Sequence, residues 1–291
     1  MIAFGHTVYF DYKHQNITKG GLPPLYLKLY QHKELSFDHH IDYNQNQNRD
    51  VTLSTDRSFK ENTYEQNWSF QVKDIVTFIW EKGKSTINYK LGSSGSNTLL
   101  EYWFLHTLLP IYLTIENKYE FIHAAGVEID MCPVLFIAPS YGGKSTLTDY
   151  FIQQDHVMIS DDRVALKEKG SDVFATASYP YHRPYRKMED LGLKVAKIMT
   201  HTKKLSKIYV LEQGSSTDEV TFTRLRGMQT FKALQYNFDF TLPLNKARSF
   251  QLIGKIASSV PIYRITVPWD LERLGEVYEK ICAHSHNKGN V

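Results

Sequence analysis

The sequence predicts a mixed α/β fold: a strand, glycine turn and helix at the centre of the main core, preceded by a small β-rich domain. Three observations carry this. Val134 to Ile137 is a short apolar, β-favouring run, the glycine pair Gly142-Gly143 follows it, and Ser145 to Gln153 then reads as a helix. Ahead of this unit, residues 1 to about 92 are β-favouring segments separated by charged turns. Behind it, strand-like and helix-like segments alternate almost to the end of the chain.

The chain has 291 residues, 42% of them hydrophobic, enough for one large domain or two unequal ones. A net charge of +3 with scattered basic residues argues against a nucleic-acid partner. Cys132 and Cys282 have no metal-type spacing and read as buried structural thiols in a reducing compartment. Met1 to Lys13 mixes polar residues into its apolar positions and cannot be a signal-peptide core, so a cytoplasmic protein is expected.

Trp68 to Val72, Ile75 to Trp80 and Ser85 to Leu91 predict an antiparallel meander in a lid or recognition domain over residues 1–95. The polar run at 44–48 predicts a mobile loop. Gly-Ser-rich residues 92–97 predict the connector to a second, larger domain over 96–291. Leu99 to Ile115 is apolar, but Glu101, His106 and Pro110 interrupt it and it is too short for a bilayer span. It reads as a buried helix, and no membrane partner is expected. Tyr119 to Asp130 then predicts two short strands around a turn at Gly126.

The central unit carries the chemistry. Gly142 and Gly143 allow positive φ and lack the Cβ atoms that would keep a phosphate away, so successive backbone N–H groups can converge on one anion. The start of the following helix adds unpaired N–H groups and the positive end of its dipole. Lys144 supplies an exposed, mobile cation for the β and γ phosphates, and the Ser145 hydroxyl stands where Mg²⁺ needs a ligand. Ala138, Pro139, Ser140, Tyr141, Gly142, Gly143, Lys144, Ser145 and Thr146 have Walker A spacing, with Ala138 in the place of the first glycine. ATP and Mg²⁺ are the ligands this implies.

His156 to Ser160 predicts a second strand, which ends in Asp161 and Asp162. Carboxylates at the end of a strand beside such a loop are placed to hold Mg²⁺ or to accept a hydroxyl proton. Which of the two does which is open. Either of Asp161 and Asp162 can hold the metal beside Ser145 while the other takes the proton. His123 reads either as a core histidine or as a partner of the phosphates or the catalytic carboxylate.

After Asp162 come a strand from Arg163 to Lys167, a turn at Lys169-Gly170, and an irregular stretch holding His182, Arg183, Arg186 and Lys187. Arg183 and Arg186 suit transition-state charge or an acceptor carboxylate, and equally suit a solvated basic loop. Ile208 to Glu212 and Val220 to Leu225 read as strands, and Gly227 to Tyr236 as a helix with Met228, Phe231 and Leu234 inward. A helix near Arg248 to Ser258 and a strand from Pro261 to Val267 follow. The last helix starts at Pro268 and Asp270 and buries Leu271, Leu274, Val277, Tyr278 and Ile281, leaving His284 and His286 in a frayed tail.

Four pieces in order, His123-Ala124-Ala125, the loop at 138–146, His156 and residues 160–166, resemble the catalytic domain of the HPr kinase/phosphorylase family. The resemblance is close over about residues 120–167 and loose elsewhere. It implies the fold of that family's C-terminal domain, with His123, Lys144 and Asp162 in the active site, Asp162 as proton acceptor and Ser145 as metal ligand, which leaves Asp161 as the second metal ligand. The family's glycine-rich signature with its metal-binding glutamate has no clear match. Residues 179–192 stand in its place, which removes support for the reverse phosphorylase reaction, for HPr as substrate and for hexameric assembly.

The pattern is similar to shorter HPr-kinase-related proteins, including kinases that phosphorylate the C-terminal serine of lasso-peptide precursors, whose N-terminal stretch resembles Ile2-Ala3-Phe4-Gly5. The expectation is therefore an ATP-dependent serine kinase acting on a peptide or small protein, with self-association left open. Two alternatives stand beside it: a kinase of free serine or another small hydroxyl metabolite, and a nucleotide-gated binding protein without transfer chemistry.

Overall fold

A computed structural model describes residues 1–13, 21–30, 35–43, 49–184, 187–238 and 242–286. The predicted loop at 44–48 and Arg186 lie outside the described residues. The chain divides into two compact units. Met1–Lys118, Lys187–Leu191 and Phe240–Ala247 form the first, and Tyr119–Arg186, Gly192–Asp239 and Arg248–Val291 the second.

The first unit holds strands β1 (Ile2–Ala3), β2 (His6–Phe10), β3 (Leu22–Leu29), β4 (His39–Asp42), β5 (Val51–Thr55), β6 (Asn67–Val72), β7 (Val76–Glu81) and β8 (Thr86–Leu91). They make one eight-stranded sheet in the order β1-β2-β3-β8-β7-β6-β5-β4. The expected antiparallel meander is there from β5 to β8, while β3 pairs in parallel with β2 and β8. Aromatic side chains fill its core: the Trp68 and Trp80 rings stack at 6.2 Å across the β6–β7 pair, and Phe70 and Phe78 meet beside them.

The apolar segment after the connector forms α1 (Asn97–Trp103), a π-helical turn at Phe104–Leu108 and α2 (Leu109–Ile115). Ser96 caps α1, its hydroxyl accepting the Leu99 N–H. The π turn has a local cause. Pro110 has no N–H to give the His106 carbonyl and its ring crowds that oxygen, and the chain widens so that the Leu109 N–H donates to Phe104 instead. Phe104 packs on Phe10 and Phe78, and Tyr112 on Trp80. These contacts place the helical segment in the first unit, so the division falls at Lys118 and not at the Gly-Ser connector near residue 96. Among the described residues, no helix is long and apolar enough to cross a membrane.

The second unit holds β9 (Glu120–His123), β10 (Ala125–Ile129), β11 (Cys132–Ile137), α3 (Lys144–Gln153), β12 (Met158–Ser160), β13 (Arg163–Lys169), β14 (Asp172–Thr176), β15 (Tyr181–His182), β16 (Leu193–Lys194) and β17 (Lys203–Lys204). It continues with β18 (Lys207–Gly214), β19 (Thr221–Arg224), α4 (Met228–Gln235), α5 (Lys246–Ser259, in this unit from Arg248 on), β20 (Ile262–Pro268) and α6 (Leu274–His286). A six-stranded sheet runs β12-β10-β11-β18-β20-β19, a four-stranded sheet runs β17-β14-β13-β9, and β15 pairs with β16. β11 is parallel to β18 but antiparallel to β10, so the sheet is a mixed one.

Alternation along β11 feeds two cores. Leu135 and Ile137 face a cluster with Val164, Leu166, Ala175 and α5's Leu252 and Ile256. Val134 and Phe136 face the other way, onto Leu147 and Phe151 of α3 and Val277 and Ile281 of α6. The six-stranded sheet is thus covered by α3 and α6 on one face and by the smaller sheet with α5 on the other.

Several sequence expectations are corrected here. The break between β9 and β10 falls at Ala124, and Gly126 lies inside β10, where the register to β12 shifts and a Cβ would stand 2.6 Å from Leu135. Gly126 therefore serves a bulge and a close approach, not a turn. Met228 is 67% exposed at the first position of α4. Leu271, in a short 3₁₀ turn ahead of α6, is 77% exposed, outside the predicted apolar stripe. His284 belongs to α6 and stacks on Phe222 at 4.1 Å. Cys132 is exposed and Cys282 half-buried, so neither is a fully buried thiol.

Candidate functional site

β11 is aimed by a two-residue hairpin turn at Asp130 and Met131, both with positive φ, and runs straight into the glycine loop. Tyr141 and Gly143 have φ of 62° and 83°, with Gly142 between them outside the left-handed region. Backbone of alternating hand turns successive N–H groups toward one point. Gly142 is required for space and not for φ: a Cβ there would meet the Ala138 Cβ at 2.7 Å and the Pro139 carbonyl oxygen at 3.0 Å. The Gly142 N–H donates to that same carbonyl, tightening the loop.

Lys144 departs from expectation. It is 2% exposed, and its ammonium donates to the carbonyls of Ala138 (2.7 Å) and Pro139 (3.2 Å), tucked under the loop. Ser145 is half-buried in the first turn of α3, and Thr146 and Tyr141 are exposed. Tyr141 to Thr146, with Pro184 and Trp269, surround an open pocket of about 630 Å³ counting the space shared with solvent.

The two carboxylates emerge at the same edge of the sheet as this loop. β12 and β11 both run antiparallel to β10, which lies between them, so their C-terminal ends point the same way two strand spacings, roughly 10 Å, apart. The turn after β12 is fixed by Ser160, whose hydroxyl accepts the N–H groups of Asp162 (3.3 Å) and Arg163 (3.1 Å). β13 then pairs with β9, Arg163 opposite His123, and the Ala124 N–H donates to the Asp162 carbonyl.

The side chains of the pair are held differently. Asp161 is buried, and its Oδ2 accepts from the Arg183 backbone N–H (2.6 Å) and lies 3.1 Å from Nδ1 of His182. The other nitrogen of His182 lies 3.1 Å from Oδ1 of Asp149, on α3 one turn after Ser145. His182 is 2% exposed, so this link between the acid corner and the helix of the loop is a buried one. Asp162 is flanked by ion-pair partners: Nδ1 of His123 at 3.4 Å, the Arg163 guanidinium at 3.0 Å and that of Arg183 at 4.0 Å. Tyr179 is buried beside the pair, and burial pushes its phenol well above its ordinary pKa.

The structure thus gathers His123, Asp161, Asp162 and Arg183 in one corner, tied through His182 and Asp149 to the helix that begins at Lys144. His156 is not part of it: its ring bonds the Glu128 carbonyl and the Tyr278 hydroxyl and packs on Phe151, a structural role. Asp149 and His182 carry no motif of their own. Asp149, four residues after Ser145 on one helix face, was the readable half of that link. Among the described residues, no group of three or more His, Cys, Asp or Glu side chains is arranged to hold a metal ion, so a cation here would rest on a hydroxyl and one or two carboxylates.

No protein-family model matches the chain, and no curated protein is significantly similar to it. Among solved structures, the Hpr(Ser) kinase/phosphatase from Coxiella burnetii is 13% identical, with 56% of this chain and 95% of that chain covered at a TM-score of 0.37. So loose a superposition carries no weight of its own.

Proposed function

We propose that this protein is a kinase that moves the γ-phosphoryl group of ATP to a serine hydroxyl. The observation that carries the reading is the shared edge: a glycine loop with its lysine, and a pair of aspartates two strands away, joined by Asp149, His182 and Asp161. In this reading the loop is a phosphate-binding loop of Walker A type. Its N–H groups and those of early α3 bind β-phosphate oxygens, and Lys144 exchanges the Ala138 and Pro139 carbonyls for phosphate oxygens. Ser145 and Asp161 fit Mg²⁺: a hydroxyl at the head of the helix, and a carboxylate whose two hydrogen bonds both fall on Oδ2. Bound there, the metal supplies neutralisation of the triphosphate charge.

Asp162 acts as the base. The serine Oγ attacks the γ phosphorus, an Oγ–P bond forms, the bond from phosphorus to the β–γ bridging oxygen breaks, and its electron pair leaves with ADP. The hydroxyl proton passes to Asp162, which His123 and Arg163 orient. Arg183, within reach of Asp162, suits the transferring phosphoryl group or a carboxylate on the acceptor. A serine at the end of a peptide or small protein carries such a carboxylate. This agrees with the resemblance of the His123, 138–146 and 160–166 stretches to HPr-kinase-related proteins, and it makes a lasso-type precursor the first acceptor to try.

Incubating the full chain with Mg-ATP and either serine-ended peptides or free serine, followed by mass spectrometry, tests the proposal. A phosphoryl group on the peptide serine is expected. Phosphate on free serine alone would move the acceptor to a metabolite, and ATP binding without transfer to any acceptor would leave a nucleotide-gated binding protein.

A further inference from the structure

The polar pocket at the glycine loop opens beside a second one of different chemistry. Leu147, Leu211, Val267, Leu271 and Leu274 line it together with Gly142, Gly143, Thr146 and Trp269, and its volume is about 550 Å³ including the mouth open to solvent. Gly142, Gly143, Thr146 and Trp269 belong to the walls of both pockets. Trp269 is 46% exposed, and the edge of its ring lies 3.3 Å from where a Cβ on Gly143 would stand. Leu271, 77% exposed, is on the same rim. The chain is held in this form by local bonds: the Asp270 N–H donates to the Pro268 carbonyl, and the Asp270 carboxylate accepts the Glu272 N–H (3.0 Å). Two large apolar side chains thus sit in the open around a pocket that shares a wall with the anion-type site.

We infer that this second pocket holds the base of the nucleotide, with the ring stacked on Trp269 between the glycine loop and the start of the last helix. The inference rests on the phosphate-binding reading of the loop and adds what that reading lacks, a place for the flat apolar end of the donor. A ligand with a polyanionic tail and an aromatic ring matches the paired pockets. Asp270 caps the turn through Oδ1, so its other oxygen and the Thr146 hydroxyl are the polar side-chain groups on an otherwise apolar lining. Recognition of the ring therefore comes mainly from stacking and apolar contact.

Calorimetric titration of the full-length protein with Mg-ATP and with inorganic tripolyphosphate separates the two sites. The wild type should bind ATP more tightly than tripolyphosphate. Trp269→Ala should weaken ATP by roughly tenfold, as base–aromatic stacking does elsewhere, and weaken tripolyphosphate, for which Trp269 is only one shared wall of the loop pocket, clearly less; retained tripolyphosphate binding also certifies the variant's fold. Trp269→Phe should restore most of the loss. Unchanged ATP affinity in Trp269→Ala, with tripolyphosphate still bound, would overturn the base site and spare the loop. Failure of both ligands to bind the wild type would overturn the loop reading and the base site with it.

Discussion

The glycine loop and the acid corner are held by opposite means. In the loop the contacts are local: Lys144 bonds carbonyls five and six residues back, and Gly142 bonds Pro139. In the corner they are distant in sequence, 21 residues from Asp161 to His182, 22 to the Arg183 N–H, and 33 from Asp149 to His182. A structure closed by local backbone bonds survives loss of one side chain, whereas a buried polar network unravels when one member is removed. Changes in the loop should thus affect chemistry with little effect on folding, and changes in the corner should affect both.

The largest expected effect tests the base. Asp162→Asn keeps the shape and removes the proposed proton acceptor, so kcat should fall by about 10² to 10⁴-fold, with ATP affinity retained in calorimetry. A variant with near-normal kcat would take the base role away from Asp162. Lys144→Ala should come next, a loss of about 10² to 10³-fold in transfer from the missing charge on the phosphates. Its melting midpoint should move by only a few degrees, since the net worth of the two carbonyl bonds is about 1 kcal/mol each. Collapse of the fold would mean that the buried ammonium also holds the loop, and the contrast with the corner would be gone.

His182→Ala tests the other side. It leaves Asp161 and Asp149 facing a buried gap, at a cost of about 1–3 kcal/mol. Chemical denaturation should show this loss, together with a raised Mg²⁺ requirement for transfer if Asp161 has lost its orientation. Lowered stability with unchanged metal dependence would reduce His182 to a core residue.

The same contrast explains what could be read in the sequence. The strand, the glycine pair and α3 are specified within twenty-odd residues by apolar run, turn chemistry and helix start, and they stand as predicted. The adjacent acids were legible as a pair, but not the environments that distinguish them, since these come from residues 123, 149, 182 and 183 brought together by sheet pairing. The burial of Lys144, the exposure of Leu271 and the pocket wall at Trp269 depend on which chain segment arrives next to the loop. The grouping of α1 and α2 with the first unit escaped for a similar reason: a glycine-serine connector marks flexibility, while membership follows from what Phe104 and Tyr112 pack against.

The smallest effect concerns long-range holding away from the chemistry. In the first unit Glu189 takes a positive φ of 53°, accepts two bonds from the Arg49 guanidinium (2.8 and 3.0 Å) and one from the Trp103 indole (3.1 Å), partners 140 and 86 residues away. The Arg49 hydrogen bonds, more than the opposing burial, hold the Glu189 carboxyl below its ordinary value. A carboxyl with a lowered folded pKa binds fewer protons folded than unfolded, so its contribution is present above the ordinary carboxylate range and is lost as pH falls through the folded value. Arg49 is substantially solvent-exposed, which keeps the contribution to under about 1 kcal/mol. Urea midpoints of the wild type and Glu189→Gln should therefore differ slightly at neutral pH and converge as the solution is acidified below the carboxylate range. A gap that widened on acidification would mean that Glu189 is held by something other than its ionised carboxylate, and long-range holding in this unit would then differ in kind from that of the acid corner.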